Sequence, residues 1–253
     1  MTGSARPQGG RRYRGRSTDE LRAERRQRLL DAALARIGRR GYAGLTIERV
    51  CSDARVSTRH FYEHFGSREA LLQALFERFT DDTRRIVGEA LSSGDGDPME
   101  RALGAVAAFV RFALADPARA RLAFIETVGV SPDMERRRRD AIGHFVSLIA
   151  GAAEQLAERG VLPRRQFHLA AVALVGATNE LIVEWLSGDT GLSASQMERA
   201  IMDLFRTLIM GARARSGAAP PSTPSWPAAP LETERPKNRQ KSSTELTIIL
   251  TMS

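Results

Sequence analysis

The chain has 253 residues, of which 42% are hydrophobic and 27% charged, and it carries a formal net charge of +8. That is length and apolar content enough for one large core or two smaller ones, and the positive balance favours a polyanionic partner. Cys51 is the sole cysteine, which excludes an intrachain disulfide and a cysteine-built zinc cage.

Residues 1–16, "MTGSARPQGGRRYRGR", are Gly- and Arg-rich with little to bury and read as a disordered basic arm. Arg11, Arg12, Arg14 and Arg16 would be placed to reach a minor groove. No apolar stretch follows this arm, so it is not read as a secretory leader. Order is expected from Ser17, where Ser17 and Glu20 spell a capping box. Leu30, Ala33, Leu34 and Ile37 then recur at helical spacing, and Gly41 closes the helix. A second helix is predicted from Thr46, with Ile47, Val50, Cys51 and Ala54 on one face. A third is "STRHFYEHF", ended by Gly66, and a fourth runs from Ser67 to about Leu91.

Further on, Asp97-Pro98, Asp116-Pro117 and Ser131-Pro132 each offer an N-cap followed by proline at the first helical position. Ser195 and Glu198 suggest another capping box, and glycines 129, 160 and 188 suggest stops. These signals predict helices near 98–114, 118–128, 132–159, 165–187 and 195–213, with no strand-period alternation between them. The charge run "MERRRRD" at 134–140 reads as a solvated helix face. From about 214 the Pro/Ser/Ala-rich composition reads as a disordered tail to residue 253, with a short β-prone run at 246–250. The run "LAAVALVGA" at 169–177 is too short to cross a bilayer, so a cytoplasmic protein with no membrane partner is expected.

Residues 55–71, "RVSTRHFYEHFGSREAL", admit two readings. His60, Glu63 and His64 spell H-x-x-E-H, in which two histidines one turn apart could bind zinc beside a glutamate base. That reading, a zinc hydrolase, needs a third ligand and a longer helix than Ser57 to Phe65 supplies. The other reading is a helix-turn-helix. "ARV" is a turn of the right length, Val56 fills the space between helices, and Phe61 and Phe65 face inward. Thr58, Arg59, Tyr62 and His64 are then left outward, with Ser57 as N-cap, in a set that suits a major groove.

Residues 21–71 resemble the DNA-binding domain of the TetR family of transcriptional regulators, through "RRGY", "LTIERV" and "VSTRHFYEHFGSREAL". The usual small residue before the aromatic pair is replaced here by Arg59-His60, and Arg68 stands where a lysine is common. The resemblance implies that Thr46 binds a phosphate at a helix N-terminus. It implies that Ser57, Thr58, Arg59 and His60 line the groove, that Tyr62 and His64 lie at a phosphate, and that Arg68 clamps the backbone. It also implies a homodimer on double-stranded DNA.

Residues 85–215 contain no catalytic constellation and no phosphate loop, so neither an enzyme nor a cofactor is expected. The segment 167–188 is apolar nearly all round and needs cover from more than its own domain. Together with the helix of Ile201, Leu204, Phe205, Leu208 and Ile209 it would build a four-helix bundle across a two-fold axis, with Leu181, Trp185, Phe205 and Leu208 at the interface. A hydrophobic effector would sit among Phe109, Phe112, Phe124 and Phe145, met by His144 or Asn179. Glu126, Thr127, Thr178, Glu180 and Glu184 are further polar groups in this region. The expectation is an all-α protein with a helix-turn-helix domain at 17–66 and a ligand and dimerisation domain at 67–213. Its function would be repression from a near-palindromic operator. A ligand-independent architectural DNA binder is the alternative outside the enzyme class.

Overall fold

The computed structural model describes residues 17–92 and 97–214, so the arm at 1–16 and the tail beyond 214 lie outside the described residues. Every element among the described residues is helical. The first helix, α1 (Thr18–Arg40), begins at the capping box the sequence spells: Glu20 N–H donates to Ser17 Oγ at 3.1 Å and Ser17 N–H to Glu20 Oε2 at 2.8 Å. Its stop is Gly41, at φ 68°, whose N–H donates to Ile37 O. Leu29, Leu30, Ala33 and Ile37 are its buried stripe.

Two short helices come next, α2 (Ile47–Ala54) and α3 (Thr58–His64), and then the long α4 (Arg68–Ser92), started by Ser67 Oγ accepting from Ala70 N–H. The core built by α1 to α3 takes in Leu71, Leu72, Leu75, Phe76 and Phe79 of α4, and also Leu122, Ala123 and Met134. Each fully buried Leu or Phe contributes about 1.5–3 kcal/mol, so the first half of α4 is held firmly by the N-terminal helices.

The proline-marked starts are all where the residues place them. Asp97, Asp116 and Ser131 cap α5 (Pro98–Leu114), α6 (Pro117–Arg121) and α7 (Pro132–Glu158), each with proline at its start. The helix expected over 118–128 divides: α6 passes into a π-helical turn, Leu122–Glu126. The run of arginines in α7 is less solvated than its composition suggests. Arg137 is bound to Asp133 and to Glu77 of α4, and Arg138 to Glu135, all by ion pairs. The Arg137 hydrogen bond holds the Asp133 carboxyl below the ordinary carboxylate range.

A second core joins α5 and α7 to α8 (His168–Ser187) and α9 (Ala194–Ala214). Helix α9 begins earlier than expected. Its cap is Ser193 with Gln196, not Ser195 with Glu198: Gln196 N–H donates to Ser193 Oγ at 3.3 Å and Ser193 N–H to Gln196 Oε1 at 2.8 Å. Glu198 instead pairs with Arg111 of α5 at 3.3 Å. Helix α8 extends well past its most apolar run, and by length and composition it could cross a bilayer. Its Ala171, Val175, Thr178 and Ile182 are nevertheless buried within the chain, and its outer face carries Glu180 and Glu184. Charges on that face are costly in hydrocarbon.

Candidate nucleic-acid interface and effector cavity

The turn between α2 and α3 depends on Arg55, which adopts the left-handed conformation at φ 52°, ψ 46°. Its N–H and that of Val56 return to Cys51 O, the latter at 3.0 Å, so the backbone donors freed by ending α2 stay paired. Val56, 7% exposed, fills the angle between the two helices. Ser57 Oγ then accepts from His60 N–H and starts α3. Phe61 and Phe65 lock α3 onto the core with ring centroids 5.6 Å apart.

Locking those two rings inward leaves Thr58, Arg59, Tyr62 and Glu63 exposed on the opposite side. Glu63 was not among the groove residues expected from sequence, yet it lies 3.6 Å from Arg59 on the same face. The two histidines are not fully outward. His60 is half-buried, its Nδ1 2.9 Å from Ser57 Oγ. His64 is turned to the flank where α1 crosses, and its Nε2 is buried with no partner. That crossing is arginine-rich: Arg22 Nη2 donates to Glu63 O at 3.3 Å, and the Arg26 guanidinium lies 5.3 Å from the Phe65 ring centre. Burial, then the Arg22 and Arg25 charges, push the His64 imidazole below its ordinary pKa. His64 Nε2 is thus enclosed and does not lie on the exposed side of α3.

Thr46 is exposed at the N-terminus of α2, its Oγ1 accepting from Arg49 N–H. Arg68 is exposed at the start of α4, where its Nη1 donates to Leu45 O at 3.1 Å and its guanidinium lies 4.4 Å from the Tyr42 ring centre. It thus braces the loop that delivers Thr46. Thr46, Thr58, Arg59, Tyr62 and Arg68 are all exposed.

A cavity of about 220 Å³ is walled by α4, α5, the π turn, α7, α8 and α9. Phe109, Phe124, Phe145 and Asn179 line it as expected. Two expected residues do not. Phe112 is stacked on Phe79 at 5.9 Å, with the Arg119 guanidinium 4.2 Å from its ring centre. His144 is exposed on α7. Phe205 and Leu208, expected at a dimer interface, also line the cavity; within one chain Phe205 is only 4% and Leu208 49% exposed. Trp185 packs on the second core and donates its indole N–H to Leu192 O at 3.0 Å.

Residues 29–75 match the model of bacterial regulatory proteins of the tetR family, and residues 95–209 that of the tetracyclin repressor-like C-terminal domain. The transcriptional regulator BetI of Brucella suis biovar 1 is 30% identical over 139 residues, 53% of this chain and 69% of that protein. The chain belongs to the TetR family. It is a DNA-binding transcriptional regulator, not an enzyme, and the H-x-x-E-H letters of α3 are part of its helix-turn-helix. The transcriptional activator FasR of Mycolicibacterium smegmatis is 29% identical over 194 residues, 74% of this chain and 82% of that protein. In fold, the chain is similar to the regulator FadR from Bacillus subtilis, solved in complex with stearoyl-CoA. That match has a TM-score of 0.61 at 14% identity, covering 70% of this chain and 96% of that one.

One polar residue of the larger domain ties two distant segments of this TetR regulator together. Glu126, at the end of the π turn, accepts from Tyr42 N–H at 2.7 Å and from Arg121 Nε at 2.7 Å. Ala123 and Phe124 of the same turn line the cavity, so one segment touches both the cavity and the loop leading to α2. Gly41 is adapted to this contact, since a Cβ there would stand 3.0 Å from Glu126 Oε1. No periodic signal announces a partner 84 positions away.

Proposed function

We propose that this TetR regulator is a cytoplasmic homodimeric repressor, bound to a near-palindromic operator and released when a hydrophobic effector enters the cavity. The observation that carries the reading is the cavity's position: Phe76 and Phe79 of its wall belong to α4, the helix whose first residue, Arg68, braces the reading head. A ligand that favours one tilt of α4 changes the spacing of two such heads. A 100-fold preference corresponds to about 2.7 kcal/mol of coupling. The nearly all-apolar wall supports a hydrophobic effector, as does the stearoyl-CoA bound by the similarly folded FadR.

On the operator, Thr58 and Arg59 read base edges, with Ser57 and His60 at the start of the helix. Thr46, Tyr62 and Arg68 hold phosphates. The dimer forms on the outer faces of α8 and α9, where Leu169 is 80%, Val172 45%, Leu208 49% and Met210 69% exposed, with Trp185 and Phe205 supporting them from beneath. The test is operator selection from random DNA, repeated with Arg59→Ala and Arg68→Ala. A two-fold-symmetric site is expected, broadened by Arg59→Ala and bound more weakly at all sequences by Arg68→Ala. Binding should fall about 10³-fold between 50 and 200 mM salt. An asymmetric site, or operator affinity unmoved by every hydrophobic compound that binds the cavity, overturns the reading in favour of an architectural binder.

A further inference from the structure

Glu63 is the one acidic residue of α3, and neither folding nor general affinity for DNA rewards it there. It shares the exposed side of the helix with Thr58, Arg59 and Tyr62. Its Oε1 lies 3.6 Å from Arg59 Nε, and the two side chains are 47% and 89% exposed. An exposed pair four positions apart adds little to stability, and least with the cation on the N-terminal side, as here. On a surface that approaches phosphates, moreover, a carboxylate is repelled at every sequence alike.

The fold nevertheless holds this carboxylate where it must face the groove. Phe61 and Phe65, two residues before and two after it, are 0% and 4% exposed and fix the rotation of α3 about its axis. Arg22 of α1 donates from Nη2 to Glu63 O at 3.3 Å, so a carbonyl of the last turn is satisfied and this end of the helix is secured. Arg59 and Glu63 are one turn apart, about 6 Å of helix against about 3.4 Å per base pair, so in a major groove they face different base pairs. An ionised carboxylate can only accept hydrogen bonds. The major groove offers it two donors, the N4 amine of cytosine and the N6 amine of adenine. Adenine presents its amine beside the N7 acceptor, whose lone pair opposes a carboxylate. Cytosine has no such neighbour, and it is the better match.

We infer that Glu63 is a second base-reading residue, accepting a hydrogen bond from a cytosine N4 amine next to the base that Arg59 reads. The inference rests on the reading above that Arg59 contacts a base edge, and it names the residue that completes that contact. At any other sequence the carboxylate meets phosphates and gains no donor, so Glu63 weakens binding everywhere except at its own step. The pair thus acts by exclusion as much as by attraction.

The test is operator selection from random DNA with the full-length parent, Glu63→Gln, Glu63→Ala and Arg59→Ala, followed by titration of the selected duplex and of an unrelated one. The parent should require cytosine at one position of each half-site, preferring it by about 10-fold. Glu63→Gln should exchange that preference for adenine, because an amide pairs with adenine N6 and N7 together, while the base read by Arg59 stays the same. Glu63→Ala should accept all four bases at that position. Both variants should bind the unrelated duplex about 3-fold tighter than the parent, having lost a repelled charge. If the Glu63 variants select the parent's motif while Arg59→Ala broadens it, the Glu63 assignment is overturned and the Arg59 reading stands. If they alter only the base that Arg59→Ala also alters, Glu63 orients Arg59 and the cytosine contact is overturned. If all three variants keep the parent's motif on an operator they still bind, both groove assignments fall.

Discussion

Replacing Glu126 removes the polar tie between the π turn of the cavity wall and the loop before α2. Its carboxylate is 11% exposed and accepts two hydrogen bonds of 2.7 Å, from the Tyr42 backbone and from Arg121. Alanine removes both and leaves the Tyr42 N–H without its acceptor, at about 1–3 kcal/mol. Arg121 is 41% exposed and regains water, so its loss adds little. The expected cost of Glu126→Ala is therefore about 1–3 kcal/mol. Glutamine keeps one acceptor oxygen and should cost about half as much. Urea unfolding monitored by circular dichroism measures this: a midpoint lowered by roughly 1 M at unchanged slope fits these values. In a cycle with Arg121→Ala the two losses should be less than additive, since they share a partner. Glu126→Gln should also reduce the effector's influence on operator affinity more than it reduces effector binding. A Glu126→Ala protein within about 0.5 kcal/mol of the parent would refute the claim that the tie is closed to water.

Three further substitutions test the local geometry. Arg55→Gly should stabilise the protein by up to about 1 kcal/mol, because the left-handed conformation at φ 52° costs a side-chain-bearing residue energy that glycine does not lose, while Arg55→Val should destabilise it; equal midpoints for the two variants would contradict this. Gly38→Ala, although it improves helix propensity, should cost about 1–3 kcal/mol, since the new Cβ would stand 2.5 Å from Ala118 Cβ and force α1 away from α6; a higher melting temperature would show that the contact yields freely. His64 has its pKa lowered in the folded state by burial and by Arg22 and Arg25, so folding excludes a proton that the unfolded chain accepts. Stability should be full above the unfolded value of about 6.5 and decline as pH falls through it towards the folded pKa. His64→Gln should flatten that decline between pH 7.5 and 5, and identical profiles for the two proteins would remove His64 as its cause.

The features that could be read from the chain itself are those decided within a few residues. Asp97-Pro98, Asp116-Pro117, Ser131-Pro132 and the Ser17–Glu20 box mark helix starts because capping is a local hydrogen-bond problem, solved by the same few side chains wherever it arises. The helix-turn-helix was legible for a similar reason: Val56, Phe61 and Phe65 at their spacing leave one way to bury three apolar groups across a short turn. Where two local solutions compete, the reading failed, as when Ser193 with Gln196 prevailed over Ser195 with Glu198. The π turn was invisible because the two helix types differ in hydrogen-bond register, not in the residues they accept. The remaining differences concern which way a side chain faces once helices pack. Helical periodicity marks an apolar stripe on α9 but does not say which neighbour covers it, and Phe205 is buried in the second core of its own chain. Phe112 left the cavity for Phe79, His64 turned under the arginines of α1, and Glu126 found a backbone N–H far away in the chain. Each of these is set by the angle at which two distant helices cross, because burial rewards any close-packed arrangement and only the assembled helices determine which one is geometrically available.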